Sequence, residues 1–173
     1  MFDSALFRDL DAMKRMLAGL LSAFSVSASA AAEDDAVWST AVATRSSDGH
    51  RIIYRYRSEF DSRFKRSKYP DRIIISWKYD SPDGMPPKAQ HDSMDRLEHS
   101  LAPFVERPNV ATLVIVSTGE GIREWIYYAT SNDKFMSKLN EALHGQPRLP
   151  IEIDLWTDPT WERYEQIRNG VLK

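Results

Sequence analysis

Short apolar runs, several with a period of two, predict the β-strands of this chain. Ile73, Ile75 and Trp77 share one face of the run at residues 72–79. Apolar residues at helical spacing follow from about residue 88 and again in residues 132–144, and Pro103 should bend or end the first of these helices. The remaining predicted strands are residues 110–117, 122–129 and 150–156.

The order of these elements is strand, helix, strand, strand, helix, strand, as in the ferredoxin-like split βαβ fold. We therefore predict an α+β fold, in which a ferredoxin-like βαββαβ antiparallel sheet carries two covering helices on one face. Residues 37–44 and 51–57 predict an additional N-terminal β-hairpin. Asp158 and Pro159 supply an N-cap and a proline at the first helical position, which predicts a closing C-terminal helix.

The position of the turn after residue 117 indicates which side chains of the predicted sheet lie on the face that the helices do not cover. If Gly119 and Glu120 are its two central residues, Val114 faces Trp125, and that side of the hairpin lies on the uncovered face. The residues of this face include Lys78, Arg123, Trp125, Tyr127, Glu152, Asp154 and Trp156.

Aromatic residues beside charges on a sheet face can bind a planar, sugar-like or peptide ligand. The candidate residues for binding a ligand or partner are Lys78, Arg123, Trp125, Tyr127 and Trp156. An alternative is that the added hairpin or the closing helix covers this face and buries the aromatic residues as a second layer, since every large sheet needs cover.

Residues 13–30 show the order of features of a bacterial secretory signal peptide. Lys14 and Arg15 precede an apolar run, and the small residues before position 31 supply an A-x-A pattern. We therefore predict Sec-type export to the periplasm or beyond the cell, with cleavage before Ala31 and Met13 as the true start. The alternative is an amphipathic helix or a membrane anchor, but the apolar run is shorter than the about 20 residues that span a bilayer.

The predicted domain organisation is an N-terminal extension with the cleaved signal at residues 1–30, a flexible lead-in at residues 31–36 and a single α+β domain at residues 37–173. A hydrophobic fraction of 42% is typical of a folded chain. The net charge of −2 gives no global field that would attract nucleic acid. Because the chain has no cysteine, a disulfide scaffold, a thiol nucleophile and a thiolate metal site are excluded.

A basic stretch interleaved with aromatic residues begins in the second strand of the predicted hairpin at Arg51 and continues to Lys68. Such a stretch can bind phosphate groups, and in the periplasm its ligand could be lipid phosphates, cell-wall polymer or an acidic protein. The simpler interpretation is a charged edge and a solvated loop that discourage pairing between sheet edges. The cations of this basic patch are Arg55, Arg57, Arg63, Lys65, Arg66 and Lys68.

Catalytic and metal-ligating residues form no pattern typical of a known chemistry. His91 and His99 are eight residues apart on one predicted helix, too far to ligate one ion together. No G-x-S-x-G elbow is present. Glu124, Glu152 and Asp154 could perform acid–base catalysis in an envelope hydrolase only if they lined a cleft. We therefore predict no metal, no cofactor and no transmembrane segment in the mature chain.

Three motifs carry a family resemblance. They are an early strand with Trp38, the run Gly121-Ile122-Arg123-Glu124-Trp125-Ile126-Tyr127-Tyr128, and the run Asp158-Pro159-Thr160-Trp161-Glu162-Arg163-Tyr164. In this order and spacing they resemble the bacterial family catalogued as domain of unknown function 695, over residues 37–172. The resemblance implies no established activity, no catalytic residue and no cofactor.

Some relatives in that family join this domain to one that resembles the protein inhibitors of ribonuclease E, which implies a cytosolic regulator as an alternative. The predicted signal peptide departs from that role. We therefore predict an exported, non-catalytic binding or protein-interaction domain, whose partner is a protein or an envelope ligand rather than nucleic acid. The alternatives are an envelope hydrolase that uses sheet carboxylates and the cytosolic regulator.

Overall fold

The computed structural model describes residues 37–44 and 49–171. The predicted signal peptide, its cleavage before Ala31, the lead-in and most of the first hairpin turn lie outside the described residues.

The described residues form a six-stranded sheet with three α-helices and a short 3-10 helix at Arg66–Lys68. The strands are β1 (Trp38–Thr44), β2 (Arg51–Arg57), β3 (Asp71–Lys78), β4 (Ala111–Gly119), β5 (Ile122–Ala129) and β6 (Ile151–Thr157). The helices are α1 (Lys88–Val105), α2 (Asn132–Ala142) and α3 (Glu162–Val171). The spatial order is β1-β2-β4-β5-β3-β6, and all neighbours are antiparallel. The predicted α+β class is confirmed.

The ferredoxin-like prediction does not match the sheet completely, because the sheet has six strands. The N-terminal hairpin is not a separate layer but continues the sheet, since Tyr54 of β2 pairs with Ser117 of β4. The physical reason is that β4 would otherwise end the sheet with an unpaired row of backbone donors and acceptors, which the hairpin satisfies. Strands β1 and β6 are the edges of the sheet.

One face of the sheet, which we call the two-helix face, packs against α1 and α2. Ile73 and Ile75 of β3 meet an apolar stripe of α1 that includes Met94 and Leu101, and all four are buried. Pro103 does not stop α1, because it lies in the last turn and the helix continues to Val105. The helical spacing read from the sequence therefore produces the larger of the two cores.

The opposite face, which we call the one-helix face, packs against α3 in part. Ile126 and Tyr128 of β5 lie under Trp161 and Tyr164 in a second core. The predicted cover by the closing helix is thus present over this half of the face. Beyond it, β6 and the end of β3 stay exposed.

The predicted register of the β4–β5 hairpin is wrong. Gly119 pairs with Ile122, so the central turn residues are Glu120 and Gly121, whose φ angles of 55° and 76° suit a tight hairpin turn. Gly119 is required for another reason: a Cβ there would lie 2.3 Å from the carbonyl oxygen of Arg51. A β-bulge between residues 113 and 115 changes the register again along β4.

Three predicted site residues of β5 do not lie on the uncovered face. Arg123, Trp125 and Tyr127 lie on the two-helix face and are 6%, 1% and 0% exposed. Their predicted exposure is wrong because β5 pairs with β3 so that Trp125 lies beside Ile75 and Tyr127 beside Ile73, on the face that α1 and α2 cover.

Candidate functional site

Two residues of the central motif, Arg123 and Trp125, fasten α1 to the sheet. Arg123 Nη1 lies 2.8 Å from Asp95 Oδ1, and its Nη2 lies 3.1 Å from Glu98 Oε2. The indole Nε1 of Trp125 donates to the same Glu98 oxygen at 2.8 Å. Sequence reasoning missed both acids of α1. Their spacing of three places them side by side on one flank of the helix, and this was the available signal.

Glu98 also joins α1 to the N-terminal hairpin, because its Oε1 accepts a hydrogen bond from Arg55 Nη2. Burial acts to raise the pKa of Glu98, but the hydrogen bonds and charges of Arg55, Trp125 and Arg123 outweigh it and lower that pKa. Glu98 is therefore an ionised structural carboxylate. The ring of Trp38 lies 5.0 Å from the Arg55 guanidinium carbon, which completes this junction.

The predicted basic patch is not a continuous surface. Arg57 is buried and donates from Nε to the carbonyl of Leu113 at 2.7 Å. Arg66 lies 2.5 Å from Glu165 and stacks over aromatic rings of the second core. The remaining members are Arg55, already described, Arg63, which is bonded to Asp61, and the exposed Lys65 and Lys68.

The late motif fixes α3 onto the sheet. Asp158 accepts hydrogen bonds from the backbone nitrogens of Glu162 at 2.9 Å and Arg163 at 3.2 Å, so it caps the first turn of α3 from outside the helix. The predicted helix start at Pro159 is wrong, because a turn at residues 159–160 precedes α3, which begins at Glu162. It also accepts from the Tyr128 hydroxyl at 2.6 Å. Burial acts to raise the pKa of Asp158, while the hydrogen bonds from Tyr128 and the two backbone amides lower it, and the lowering prevails.

Trp161 also holds α3 against the sheet. Its ring stacks on Tyr128 with centroids 4.0 Å apart, and its Nε1 donates to the Tyr69 carbonyl at 2.9 Å. The Trp161 φ angle of 60° is unusual for a bulky residue, and the surrounding contacts hold it there. The central and the late motif, two of the three that carry the family resemblance, are therefore mainly structural.

The exposed part of the one-helix face is the remaining candidate site. We call it the open strip, and its residues are Lys78, Glu124, Glu152, Asp154 and Trp156, with the buried Ser76 between Glu124 and Glu152. It includes two of the predicted site residues, Lys78 and Trp156. Since sheet pairing puts Glu124, Ser76 and Glu152 in one row across three strands, the strip is a flat polar surface with an aromatic residue on its outer strand.

The electrostatics of the open strip are acidic. Three carboxylates face one lysine, and Lys78 Nζ lies 2.8 Å from Glu152 Oε2 in a solvent-exposed pair. Arg72 lies beside the strip with its guanidinium carbon 5.6 Å from the Trp156 ring centre, but it is directed partly to Asp158 at 3.4 Å. Within the described part of the chain, Asp154 has no ion-pair partner. The strip can therefore attract a cation.

A shallow cavity of about 560 Å³ adjoins the strip at Lys78. It lies beside the β4–β5 turn, where Tyr79 donates from its hydroxyl to the Gly84 carbonyl at 2.9 Å. Burial is the main reason that the pKa of Tyr79 is raised to about 12. This tyrosine therefore stays protonated and maintains the loop at neutral pH.

The geometry gives no support to acid–base catalysis by the sheet carboxylates. Glu124 and Glu152 flank Ser76 on one flat surface and do not face each other across a cleft. Among residues 37–44 and 49–171, no group of three histidine or acidic side chains could hold a metal ion.

The fold and these surfaces define a small α+β domain with two cores and one exposed polar strip on its sheet. The chain matches the family of unknown function DUF695 over residues 27–167, and it belongs to that family. No curated protein matches the chain. None of the helices in the described residues is long and apolar enough to cross a membrane.

Proposed function

We propose that this chain is an exported, non-catalytic binding domain that contacts a protein or an envelope ligand through the open strip. The observation that carries the proposal is the exposure of Trp156. Of the five tryptophans, all of which lie in the described residues, Trp156 alone is exposed, at 54%. An exposed indole beside acidic side chains is typical of a contact surface, because tryptophan contributes large apolar area together with a hydrogen-bond donor.

The non-catalytic part of the proposal is supported by how the polar motif residues are used. The side chains of Arg123 and Trp125 form hydrogen bonds with α1, and that of Asp158 forms hydrogen bonds with α3. Export is supported by the order of cations, apolar run and small residues in residues 13–30. We leave Arg123, Trp125 and Tyr127 out of the proposed contact surface because they are buried.

We also propose a ferredoxin-like grouping for the part of the domain from β3 to β6. Its support is the spatial order β4-β5-β3-β6 together with the packing of α1 and α2 on one face. In this view the N-terminal hairpin is an extension of the sheet at β4, and α3 is an added cover.

The test of binding compares affinity capture from the cell envelope by the wild-type protein and by Trp156→Ala. We expect the variant to lose partners that the wild type retains, with a melting temperature within about 2 °C because the side chain is exposed. Val42→Ala, which truncates an exposed apolar side chain on the opposite edge strand β1, is the matched control. Identical captured sets for wild type and Trp156→Ala would refute the proposed surface.

The test of export is cell fractionation followed by N-terminal sequencing. Mature protein that starts at Ala31 in the periplasm or medium is the expected result. Unprocessed protein confined to the cytosol would refute export and would favour the cytosolic regulator.

A further inference from the structure

The outer edge of β6 is unpaired among the described strands. β6 pairs with β3 through continuous register from Ile151 to Thr157, and it is the last strand in the sheet order. In an antiparallel sheet, alternate residues of such a strand direct their N–H and C=O groups away from the sheet. β6 thus presents a straight edge of seven residues without an internal proline or a register shift.

Natural edge strands are commonly shortened, bulged, interrupted by proline or provided with charged side chains. Of these devices β6 has only charge, in Glu152 and Asp154, and a cationic partner strand would neutralise it. Leu155 on the two-helix face and Trp156 on the one-helix face are 43% and 54% exposed. Consecutive large apolar side chains on both faces of an edge strand favour the addition of another strand.

We propose that β6 receives an extended segment of a partner protein as an added strand, and that this segment alternates cationic and apolar residues. The inference rests on the proposed binding function and names the class of partner. Cations of the added strand would lie beside Glu152 and Asp154 on the one-helix face. Its apolar residues would lie beside Ile153 and Leu155 on the two-helix face, because side chains alternate along both strands.

Charge complementarity favours a segment with cationic residues as the strand added to β6. Asp154 has no ion-pair partner in the described part of the chain, and the bond between Glu152 and Lys78 is exposed and readily exchanged. A second copy of the chain fits less well, since antiparallel pairing of all seven residues would put Asp154 opposite its own copy. The other edge strand, β1, has no charged residue and therefore offers no such selection.

The experiment uses the protein as recovered from the cell and a capped peptide of alternating lysine and valine, equal in length to the seven residues of β6. Binding is followed by backbone amide NMR shifts and by hydrogen exchange. We expect saturable shifts and slowed exchange at β6, and no change at β1. A peptide with glutamate in place of lysine should bind at least about fivefold more weakly.

Two further comparisons separate pairing of the backbone from attraction of charge. The same lysine–valine peptide with N-methyl groups on alternate amides should lose about tenfold in affinity, since it cannot donate along one edge. Asp154→Asn should weaken binding about threefold, while Asp133→Asn, an exposed acid on α2, should leave it unchanged. Equal binding of the methylated peptide would overturn the inference.

The remaining outcomes distinguish this inference from the proposed function. If the peptide leaves β6 unprotected while Trp156→Ala still loses its envelope partner, the added strand is wrong and the binding domain stands. If the peptide protects β6 but Trp156→Ala keeps every partner, the inference stands and the open strip loses its role. Protection of β6 without peptide, together with a dimer in sedimentation, would overturn the inference in favour of a second copy.

Discussion

Replacing Asp158 by alanine should destabilise the domain by about 3 kcal/mol. The loss of the N-cap of α3 contributes about 1 kcal/mol. The Tyr128 hydroxyl, which donates to Asp158 at 2.6 Å in a buried site, would lose its acceptor, and this costs about 2 kcal/mol. The Arg72 contact at 3.4 Å adds little. The total is a large part of the 5–15 kcal/mol by which domains are usually stable.

Urea unfolding followed by circular dichroism measures this change. With an m value of about 1.5 kcal/mol/M, the midpoint should fall by about 2 M. Asp158→Asn keeps an oxygen for the cap and for Tyr128, so it should cost only about 1 kcal/mol. Asp133→Ala, in the first turn of α2 where Ser131 is the cap, is the matched control and should cost about 0.5 kcal/mol.

The reasoning would be refuted if Asp158→Ala changed the free energy of unfolding no more than Asp133→Ala does. An asparagine variant as unstable as the alanine variant would also contradict it, because that result would assign the effect to charge and not to the cap and the Tyr128 hydrogen bond.

Three other predictions concern the junctions of the sheet. Glu98→Ala should lower the free energy of unfolding in urea by about 3 kcal/mol, because it leaves the buried Arg123 with one of its two carboxylate partners. The control Asp92→Ala, which breaks an exposed ion pair, should lower it by about 0.4 kcal/mol. Gly119→Ala should lower the free energy of unfolding by about 3 kcal/mol, since its Cβ would meet backbone atoms. Gly49→Ala, whose Cβ would have no atom within 4 Å, should lower it by about 1 kcal/mol. Equal melting temperatures of the two variants would contradict this. The pKa values of Glu98 and Asp158 are lower in the folded than in the unfolded chain, so their stabilisation is present above an unfolded pKa of about 4 and is lost as the pH falls through the folded values. Thermal melts should therefore decline mainly below about pH 5, and a Glu98→Gln variant should show a shallower decline.

Element type was predictable where periodicity is strong. The stripe that begins at Met94 corresponds to α1, because a helix face depends on local spacing. The closing helix was also predictable, but its start was not, since Asp158 caps a helix that begins four residues later. The continuation of the sheet through the hairpin was not predictable, because it depends on which strand, distant in the sequence, pairs its backbone with β2.

The faces of β5 were not predictable from the pattern alone. Both sides of this strand carry apolar or aromatic residues, because both are covered in the structure. The assignment then depended on which face of β5 lies beside Ile73 and Ile75 of β3, and the hairpin turn carries no information about that pairing. Lys78 and Trp156 kept their predicted exposure because β3 and β6 follow a simple alternation, while the partners of Arg123 lie on a helix far away in sequence.

The hydroxyl of Tyr164 in α3 donates to the carbonyl of Arg57 in β2 at 2.5 Å, across 107 positions of the chain. During synthesis, the first hairpin therefore leaves the ribosome long before the helix that completes its packing exists. Its aromatic face must stay solvent-exposed or be shielded by a chaperone until the final residues emerge, and this interval is when the nascent domain is most open to misassembly.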